Sequence, residues 1–211
     1  MNLPNKLTIF RIILVPIMVI IPFLGISGEV LNIPIENLLI LAIFAIASFT
    51  DCLDGKIARK YNLITSFGKF ADPLADKILV LAAMLMLVEN GKLPAWIPIV
   101  VLFREFVVSG YRLIAVEKGG KVIAANIWGK VKTVSQMIAI ILMYLDNFAY
   151  CKFIFATTSA QKAIESSLLV HMTTPEMILN ILASVTMTIS VIATIFSGWN
   201  YIKDGKDLLK D

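Results

Sequence analysis

Six long apolar stretches alternate with shorter polar segments along the chain. An α-helix rises about 1.5 Å per residue, so about twenty apolar residues cross the roughly 30 Å hydrocarbon core of a bilayer. Runs this continuous are not typical of barrel strands, in which apolar and polar residues alternate. The pattern therefore predicts six transmembrane helices, at residues 6–26, 34–59, 73–90, 94–117, 127–146 and 177–202.

Proline and glycine support these helix boundaries. Proline suits the first turn of a helix, and glycine is common just after the last turn. The prolines at predicted starts are Pro4, Pro73, Pro94 and Pro175, and the glycines at predicted ends are Gly91, Gly119 and Gly120. The links 27–33 and 91–93 are short, the link 60–72 is longer, and 147–176 is a long polar loop to which we assign no role. The tail 201–211, YIKDGKDLLKD, is predicted as a solvated, charged helix end.

Composition agrees with a membrane protein. Hydrophobic residues make up 58% of the chain and charged residues only 16%, whereas soluble domains have about 45–50% and about 25%. We find no combination of basic and aromatic residues that would indicate nucleic-acid binding. The expected fold is an all-α, polytopic membrane protein, with residues 1–211 forming one integral domain.

The distribution of lysine and arginine predicts the orientation. Fifteen of the nineteen lie in the N-terminus, the regions 56–77 and 112–132, and the C-terminal tail. Because cytoplasmic segments are enriched in these residues, both termini are predicted to be cytoplasmic. The same orientation places the only dense cluster of aspartates at the cytoplasmic mouth of the second and third helices.

That cluster lies in the segment 51–76, DCLDGKIARKYNLITSFGKFADPLAD, and contains four aspartates. With about 100° per residue, Asp54 and the small residues Gly55 and Ala58 share the helix face of Asp51. Asp72 and Asp76 are four residues apart and share a face at the start of the third helix. If the two helices are antiparallel, all four carboxylates can converge on one site.

Converging carboxylates in a partly desolvated place repel one another unless cations balance them. Hard divalent cations prefer oxygen ligands, so an aspartate set favours Mg²⁺ or Mn²⁺ over zinc. Gly55 and Ala58 leave space beside the carboxylates, and Arg59 is suited to phosphate oxygens. This combination indicates phosphoryl or phosphatidyl transfer with two metals. Asp54 alone or Asp72 alone would equally suit a helix-end charge.

The segment matches D-x-x-D-G-x-x-A-R-x8-G-x3-D-x3-D at every fixed position, including Gly68. It resembles the signature of the CDP-alcohol phosphatidyltransferase family, which implies six transmembrane helices, a cytoplasm-facing site and a homodimer. The resemblance further implies that Asp51, Asp54 and Asp72 bind two divalent cations, which Asp76 also helps to hold.

The same resemblance implies roles in catalysis and in CDP-lipid binding. Asp76 is the expected general base, which takes a proton from the acceptor hydroxyl as that hydroxyl attacks the lipid-linked phosphorus and expels CMP. The expected nucleotide and diphosphate site includes Gly55, Ala58, Arg59 and Gly68, with Thr8 and Arg11 of the first helix as weaker candidates.

The acceptor is predicted from other segments. NLPNKLTIFRIILVP (2–16), FREFVVSGYRLIA (103–115) and WGKVKTVSQM (128–137) resemble the bacterial branch of the family that uses glycerol 3-phosphate. Its phosphate would suit a basic cluster formed by Arg104, Arg112, Lys130 and Lys132. The positive-inside bias alone would also explain the lysines, and Arg104 with Glu105 would equally form a structural ion pair.

The resulting functional prediction is phosphatidyl transfer from CDP-diacylglycerol to glycerol 3-phosphate in a bacterial cytoplasmic membrane. Two alternatives remain open at this stage. Within the same chemistry, the acceptor is phosphatidylglycerol or inositol phosphate. In a different class, the chain is a divalent-cation transporter, although transporters commonly place their ligands near the midplane between repeated halves, and no repeat is visible here.

Overall fold

The computed structural model describes residues 2–61, 66–117, 127–151 and 173–204, and in parts of these stretches, among them residues 52–61, it describes the backbone alone. Within these residues the regular structure is helical apart from one short hairpin, and turns join the elements, which confirms the prediction of an all-α fold. The helices are α1 (Leu3–Ile20), α2 (Ile35–Tyr61), α3 (Ser66–Glu89), α4 (Trp96–Glu117), α5 (Ile127–Leu145) and α6 (Thr174–Asp204).

The start of α3 differs from the prediction. The helix begins at Ser66 rather than at residue 73, so Pro73 lies inside it and the link after α2 is shorter than expected. Proline removes one backbone hydrogen bond, and packing of its neighbours can compensate for that loss. Ala71 and Ala75, on either side of Pro73, are both buried. Asp72 and Asp76 therefore lie within α3 and not at its first turn.

A two-stranded antiparallel hairpin precedes α2, where the sequence predicted only a short link. Its strands are β1 (Glu29–Val30) and β2 (Ile33–Pro34). The two turn residues, Leu31 and Asn32, have φ of 54° and 64°. A two-residue turn with positive φ at both positions matches the right-handed twist of the strands. Asparagine tolerates this backbone conformation, whereas it is unfavourable for leucine.

Contacts between the elements divide the chain into two units, residues 1–90 and 91–211. In the first unit, α1 packs along both α2 and α3. Its buried stripe changes character along its length: Asn5, Thr8 and Arg11 are polar, whereas Val15 and Met18 are apolar. The polar end of this stripe is what brings α1 to the predicted aspartate site.

In the second unit, α6 packs along α5 and also contacts α4. The buried stripe of α6 is rich in small polar residues, namely Ser184, Ser190, Thr194 and Ser197. Small residues let helix backbones approach closely, which is the usual basis of helix packing in membranes. The long contact between α5 and α6 is therefore built for close packing.

A buried polar cluster joins the ends of helices in this unit. The ammonium of Lys92 donates hydrogen bonds to the carbonyls of Asp146 and Met143 at the C-terminus of α5, where a cation suits the helix dipole. The Asp146 carboxylate accepts hydrogen bonds from the amide of Asn180 at 2.6 Å and from the backbone N–H of Phe148 at 3.0 Å. These bonds fasten the segment before α4 and the N-terminal part of α6 to the end of α5.

Two of the described helical segments, Asn5–Leu24 and Thr174–Lys203, are long and apolar enough to cross a membrane. Charged residues interrupt the other helices, as Arg104 and Glu105 interrupt α4. The expectation of six spans with both termini in the cytoplasm stays a prediction.

Candidate active site

Two residues of α1 contact two of the predicted metal-binding aspartates. The hydroxyl of Thr8 donates a hydrogen bond to Oδ1 of Asp72 on α3. Nη1 of Arg11 lies 2.6 Å from Oδ1 of Asp51 on α2. Because Thr8 and Arg11 are three residues apart, they share one face of α1. The structure therefore brings aspartates from two helices to the same face of a third.

The ion pair between Arg11 and Asp51 is asymmetric in its exposure. The Arg11 side chain has no exposed surface, whereas 44% of the Asp51 side chain is exposed. Burying a guanidinium is costly unless a carboxylate or several acceptors balance its charge. Asp51 supplies this balance while keeping part of its carboxylate open to solvent, where a further ligand can reach it.

The remaining members of the predicted aspartate set follow one turn after these two. Asp76 lies four residues after Asp72 on α3 and is partly buried. Asp54 lies three residues after Asp51 on α2, but its side chain is outside the described residues. The same holds for Gly55, Ala58 and Arg59, which belong to the backbone of α2. Gly68 is buried in the first turns of α3.

The chemistry of these donors fits a hard divalent cation. Among the described side chains, no group of three or more potential metal ligands is present, and Asp54 is not among them. Asp51 and Asp72 offer only oxygen, which Mg²⁺ and Mn²⁺ prefer. A carboxylate has about four acceptor positions, so the contacts with Arg11 and Thr8 do not exhaust its capacity.

A second cluster of charged residues lies in the unit formed by residues 91–211. Oε1 of Glu105 accepts hydrogen bonds from Nη1 of Arg104 at 2.9 Å and from Nζ of Lys132 at 2.7 Å. The carboxylate of Glu105 thus joins α4 to α5 and balances part of the positive charge of Arg104 and Lys132. The ion pair of Arg104 with Glu105, one of the two alternatives from the sequence, is therefore present.

Arg104 occupies a narrow slot between α5 and α6. A Cβ atom added to Gly129 would lie 3.4 Å from its Nη2, and one added to Gly198 would lie 3.4 Å from its Cγ. Its Nη2 also donates a hydrogen bond to the hydroxyl of Ser197 at 2.5 Å. The two glycines thus provide the space in which the arginine passes between the helices.

The other two basic candidates are both exposed. Arg112 donates a hydrogen bond from Nη2 to the phenol oxygen of Tyr201 at 2.8 Å. Lys130 lies in the first turn of α5. Lys132, by contrast, is buried in its contact with Glu105.

Tyr201 corrects one prediction from the sequence. It is the first residue of the tail that was interpreted as a solvated helix end, yet only 2% of its surface is exposed. The error arose because the charges that follow it dominated the pattern. Its spacing of four residues from Ser197 on an apolar helix is a signal that both residues face the protein. Residues 205–211 of this tail lie outside the described residues.

Comparison with known families settles the class of protein. Residues 1–199 match the sequence model of the CDP-alcohol phosphatidyltransferases. The chain belongs to the CDP-alcohol phosphatidyltransferase family. The resemblance carried by the aspartate segment is therefore confirmed. Members of this family are membrane-bound and use divalent cations, which agrees with the two membrane-spanning candidates and with the oxygen donors of Asp51 and Asp72.

Relatives in several bacteria are similar over much or all of the chain. A protein of Bacillus subtilis named CDP-diacylglycerol–glycerol-3-phosphate 3-phosphatidyltransferase is 41% identical and aligns with 99% of this chain and 97% of its own length. A Haemophilus influenzae protein of the same name is 43% identical over 66% of this chain and 73% of its own. A probable phosphatidylglycerophosphate synthase of Mycobacterium tuberculosis is 40% identical over 68% of this chain and 66% of its own.

Proposed function

We propose that this family member transfers the phosphatidyl group of CDP-diacylglycerol to glycerol 3-phosphate, giving phosphatidylglycerophosphate and CMP. The observation that carries the proposal is the 41% identity, over nearly the full length of both chains, with the Bacillus subtilis protein that bears the name of this activity. The three segments that resemble the glycerol 3-phosphate branch point in the same direction.

The reaction exchanges one phosphorus–oxygen bond for another. A hydroxyl oxygen of glycerol 3-phosphate attacks the lipid-linked phosphorus, and the bond from that phosphorus to the phosphate of CMP breaks. Asp76 takes the proton of the attacking hydroxyl. This assignment is supported by the spacing on α3, where Asp76 follows four residues after Asp72, the aspartate that accepts a hydrogen bond from Thr8 of α1.

Asp51, Asp54, Asp72 and Asp76 are the residues that would hold two divalent cations, Mg²⁺ or Mn²⁺. When bound, these ions stabilise negative charge on the attacking and leaving oxygens. Arg11 and Thr8 fix the orientation of Asp51 and Asp72, respectively, and so preorganise the donor set. Gly55, Ala58, Arg59 and Gly68 are assigned to the CDP-lipid by resemblance to the family signature.

The acceptor phosphate is assigned to the basic residues of the second unit. Arg112 and Lys130 are exposed and carry charge toward solvent, which suits them to contact a soluble dianion. Arg104 and Lys132 both contact Glu105, so we assign them two roles. They stabilise the structure of the basic cluster, and their positive charge attracts the phosphate. An acceptor that lacks phosphate would gain little from these residues.

The proposal includes a location and an assembly. Six helices cross the bacterial cytoplasmic membrane with both termini in the cytoplasm, and the active site opens on the cytoplasmic side, where CDP-diacylglycerol and glycerol 3-phosphate meet. By resemblance to the family, the enzyme is a homodimer. The mass of the purified protein in detergent, after subtraction of the bound detergent, tests the dimer directly.

A panel of radiolabelled acceptors tests the function. Purified protein in lipid is supplied with CDP-diacylglycerol and Mg²⁺, together with glycerol 3-phosphate, phosphatidylglycerol, inositol phosphate or serine. We expect labelled lipid and CMP only with glycerol 3-phosphate. Turnover with another acceptor alone would overturn the acceptor assignment. Cation flux into liposomes without any CMP release would support the transporter alternative instead.

A further inference from the structure

Tyr201 of α6 has two arginines of α4 beside its ring. The guanidinium carbon of Arg112 lies 5.6 Å from the ring centroid, and that of Arg104 lies 5.9 Å from it. Both distances are within the range of cation–π attraction. The phenol oxygen of Tyr201 also accepts the hydrogen bond from Nη2 of Arg112 at 2.8 Å. Tyr201 is therefore a buried platform for both guanidinium groups.

The two arginines differ in what surrounds their charge. Arg104 is enclosed in its slot, where Glu105 provides a carboxylate and Ser197 a hydroxyl. Arg112 is exposed, and the contact with Tyr201 adds no negative charge to it. The hydrogen bond consequently orients the guanidinium of Arg112 without neutralising it. This arrangement suits an arginine that receives an anion from solution.

A guanidinium binds phosphate best when it presents two parallel N–H groups in one plane. A long arginine side chain on a helix surface samples many rotamers, and binding an anion has to restrict them. An anchor on one Nη atom restricts the plane before the anion arrives and leaves other N–H groups of the fork to donate. The buried phenol is such an anchor, because its own position is fixed by packing.

We propose that Tyr201 is a positioning residue for the acceptor site, which holds the guanidinium of Arg112 in the plane that binds the phosphate of glycerol 3-phosphate. The inference rests on the proposed function, and it adds a residue of α6 to the basic cluster, whose predicted residues lie on α4 and α5. Tyr201 acts through Arg112 and does not itself touch the acceptor.

The test is steady-state kinetics of Tyr201→Phe, which keeps the aromatic ring and removes the hydroxyl that accepts the hydrogen bond from Arg112. We expect the KM for glycerol 3-phosphate to rise roughly 3- to 10-fold, because the Arg112 side chain then loses its conformational entropy only when the acceptor binds. The kcat and the KM for CDP-diacylglycerol should change less than about twofold. A fall in kcat together with a rise in both KM values would indicate a general structural role and overturn the inference.

Tyr150→Phe is the matched control. The phenol of Tyr150 lies 2.8 Å from the hydroxyl of Thr188, in the same unit and outside the basic cluster. The two variants make the same chemical change, so a general effect of losing a phenol should appear in both. Equal KM values for glycerol 3-phosphate in the two variants would contradict the positioning role.

A double-mutant cycle with Arg112→Ala tests whether Tyr201 acts through Arg112. Once Arg112 is absent, Tyr201→Phe should change the KM for glycerol 3-phosphate by less than about twofold, because the effects of coupled residues do not add. Full additivity would overturn the inference.

The proposed function and the role of Tyr201 fail in different ways. If wild-type protein releases no CMP with glycerol 3-phosphate, the proposed function is refuted. If wild-type protein turns over normally and Tyr201→Phe has the same KM for glycerol 3-phosphate, only the role of Tyr201 is refuted.

Discussion

The wholly buried guanidinium of Arg11 lies 2.6 Å from the carboxylate of Asp51, so the first helix contributes a cation to the aspartate site of the second. With the bond from Thr8 to Asp72, this contact makes α1 part of the site's framework. The family signature itself lies entirely in residues 51–76, and nothing within it indicates a dependence on α1.

Arg11→Met should lower kcat/KM for CDP-diacylglycerol by roughly tenfold. Loss of one partner costs about 3–5 kcal/mol in a buried ion pair and exposed pairs contribute about 0.2–1 kcal/mol, so we expect an intermediate effect because Arg11 is buried and Asp51 is nearly half exposed. Arg11→Lys keeps the charge and should retain more of the activity. Lys6→Met removes an exposed cation from the same helix and should have little effect. Equal activity of Arg11→Met and Lys6→Met would contradict the role of Arg11.

Thr8→Val keeps the shape of the side chain and removes the hydrogen bond to Asp72. Partners that orient metal ligands typically change metal affinity or activity by about 10- to 100-fold when they are lost. We therefore expect the Mg²⁺ concentration for half-maximal activity to rise roughly tenfold or more. Thr8→Ser should restore it.

Thr186→Val provides the control for that measurement, since its hydroxyl donates to the backbone carbonyl of Leu182 on α6. An unchanged Mg²⁺ requirement in Thr8→Val would mean that Asp72 does not depend on α1.

Asp76→Asn should abolish the general base while keeping the size of the side chain. General-base catalysis contributes about 10²- to 10⁴-fold, so we expect kcat to fall roughly 100-fold or more. CDP-diacylglycerol should still protect the variant against thermal unfolding if the CDP-lipid site survives. Near-normal turnover by Asp76→Asn would remove Asp76 from the proton transfer.

Asp146 should make stability depend on pH. Burial raises the pKa of Asp146 above its ordinary value of 3.8, and the hydrogen bonds from Asn180 and Phe148 and the charge of Lys92 oppose this shift. The folded state therefore binds the proton more tightly than the unfolded chain. The free energy of unfolding then falls as the pH rises from about 4 through the raised pKa, and it is level above that.

Asp146→Asn does not ionise and should lose this fall in stability. Thermal unfolding of both proteins in detergent between about pH 4 and pH 7 measures the pH dependence of their stability. The melting temperature of the variant relative to wild type should increase with pH. Burial also lowers the pKa of Lys92 from 10.5, and that shift changes the free energy of unfolding on the alkaline side of the lowered pKa. Parallel curves for the two proteins would contradict the prediction.

The helices were predictable because their apolar runs are long and their ends carry charge or proline. The start of α3 was not, because whether a helix continues before Pro73 depends on the packing of Ala71 and Ala75, which the local pattern does not contain. Sequence pattern alone favoured a helix that starts at the proline.

The aspartate set was also predictable, since spacings of three and four residues place side chains on one helix face. Its supports were harder to find. Thr8 and Asp72 are 64 residues apart, and Arg104 and Ser197 are 93 apart. Such pairs are determined by which helices pack together. Thr8 and Arg11 were predicted as site residues only through the family resemblance, and Ser197 and Tyr201 were not predicted as site residues.

The most direct test of the account measures CMP and phosphatidylglycerophosphate together from purified protein supplied with CDP-diacylglycerol, glycerol 3-phosphate and Mg²⁺. The account predicts equal molar amounts of the two products, and neither product when glycerol 3-phosphate is omitted or the divalent cation is chelated. CMP release that continues without glycerol 3-phosphate, or a lipid product that lacks the glycerol phosphate label, would contradict it.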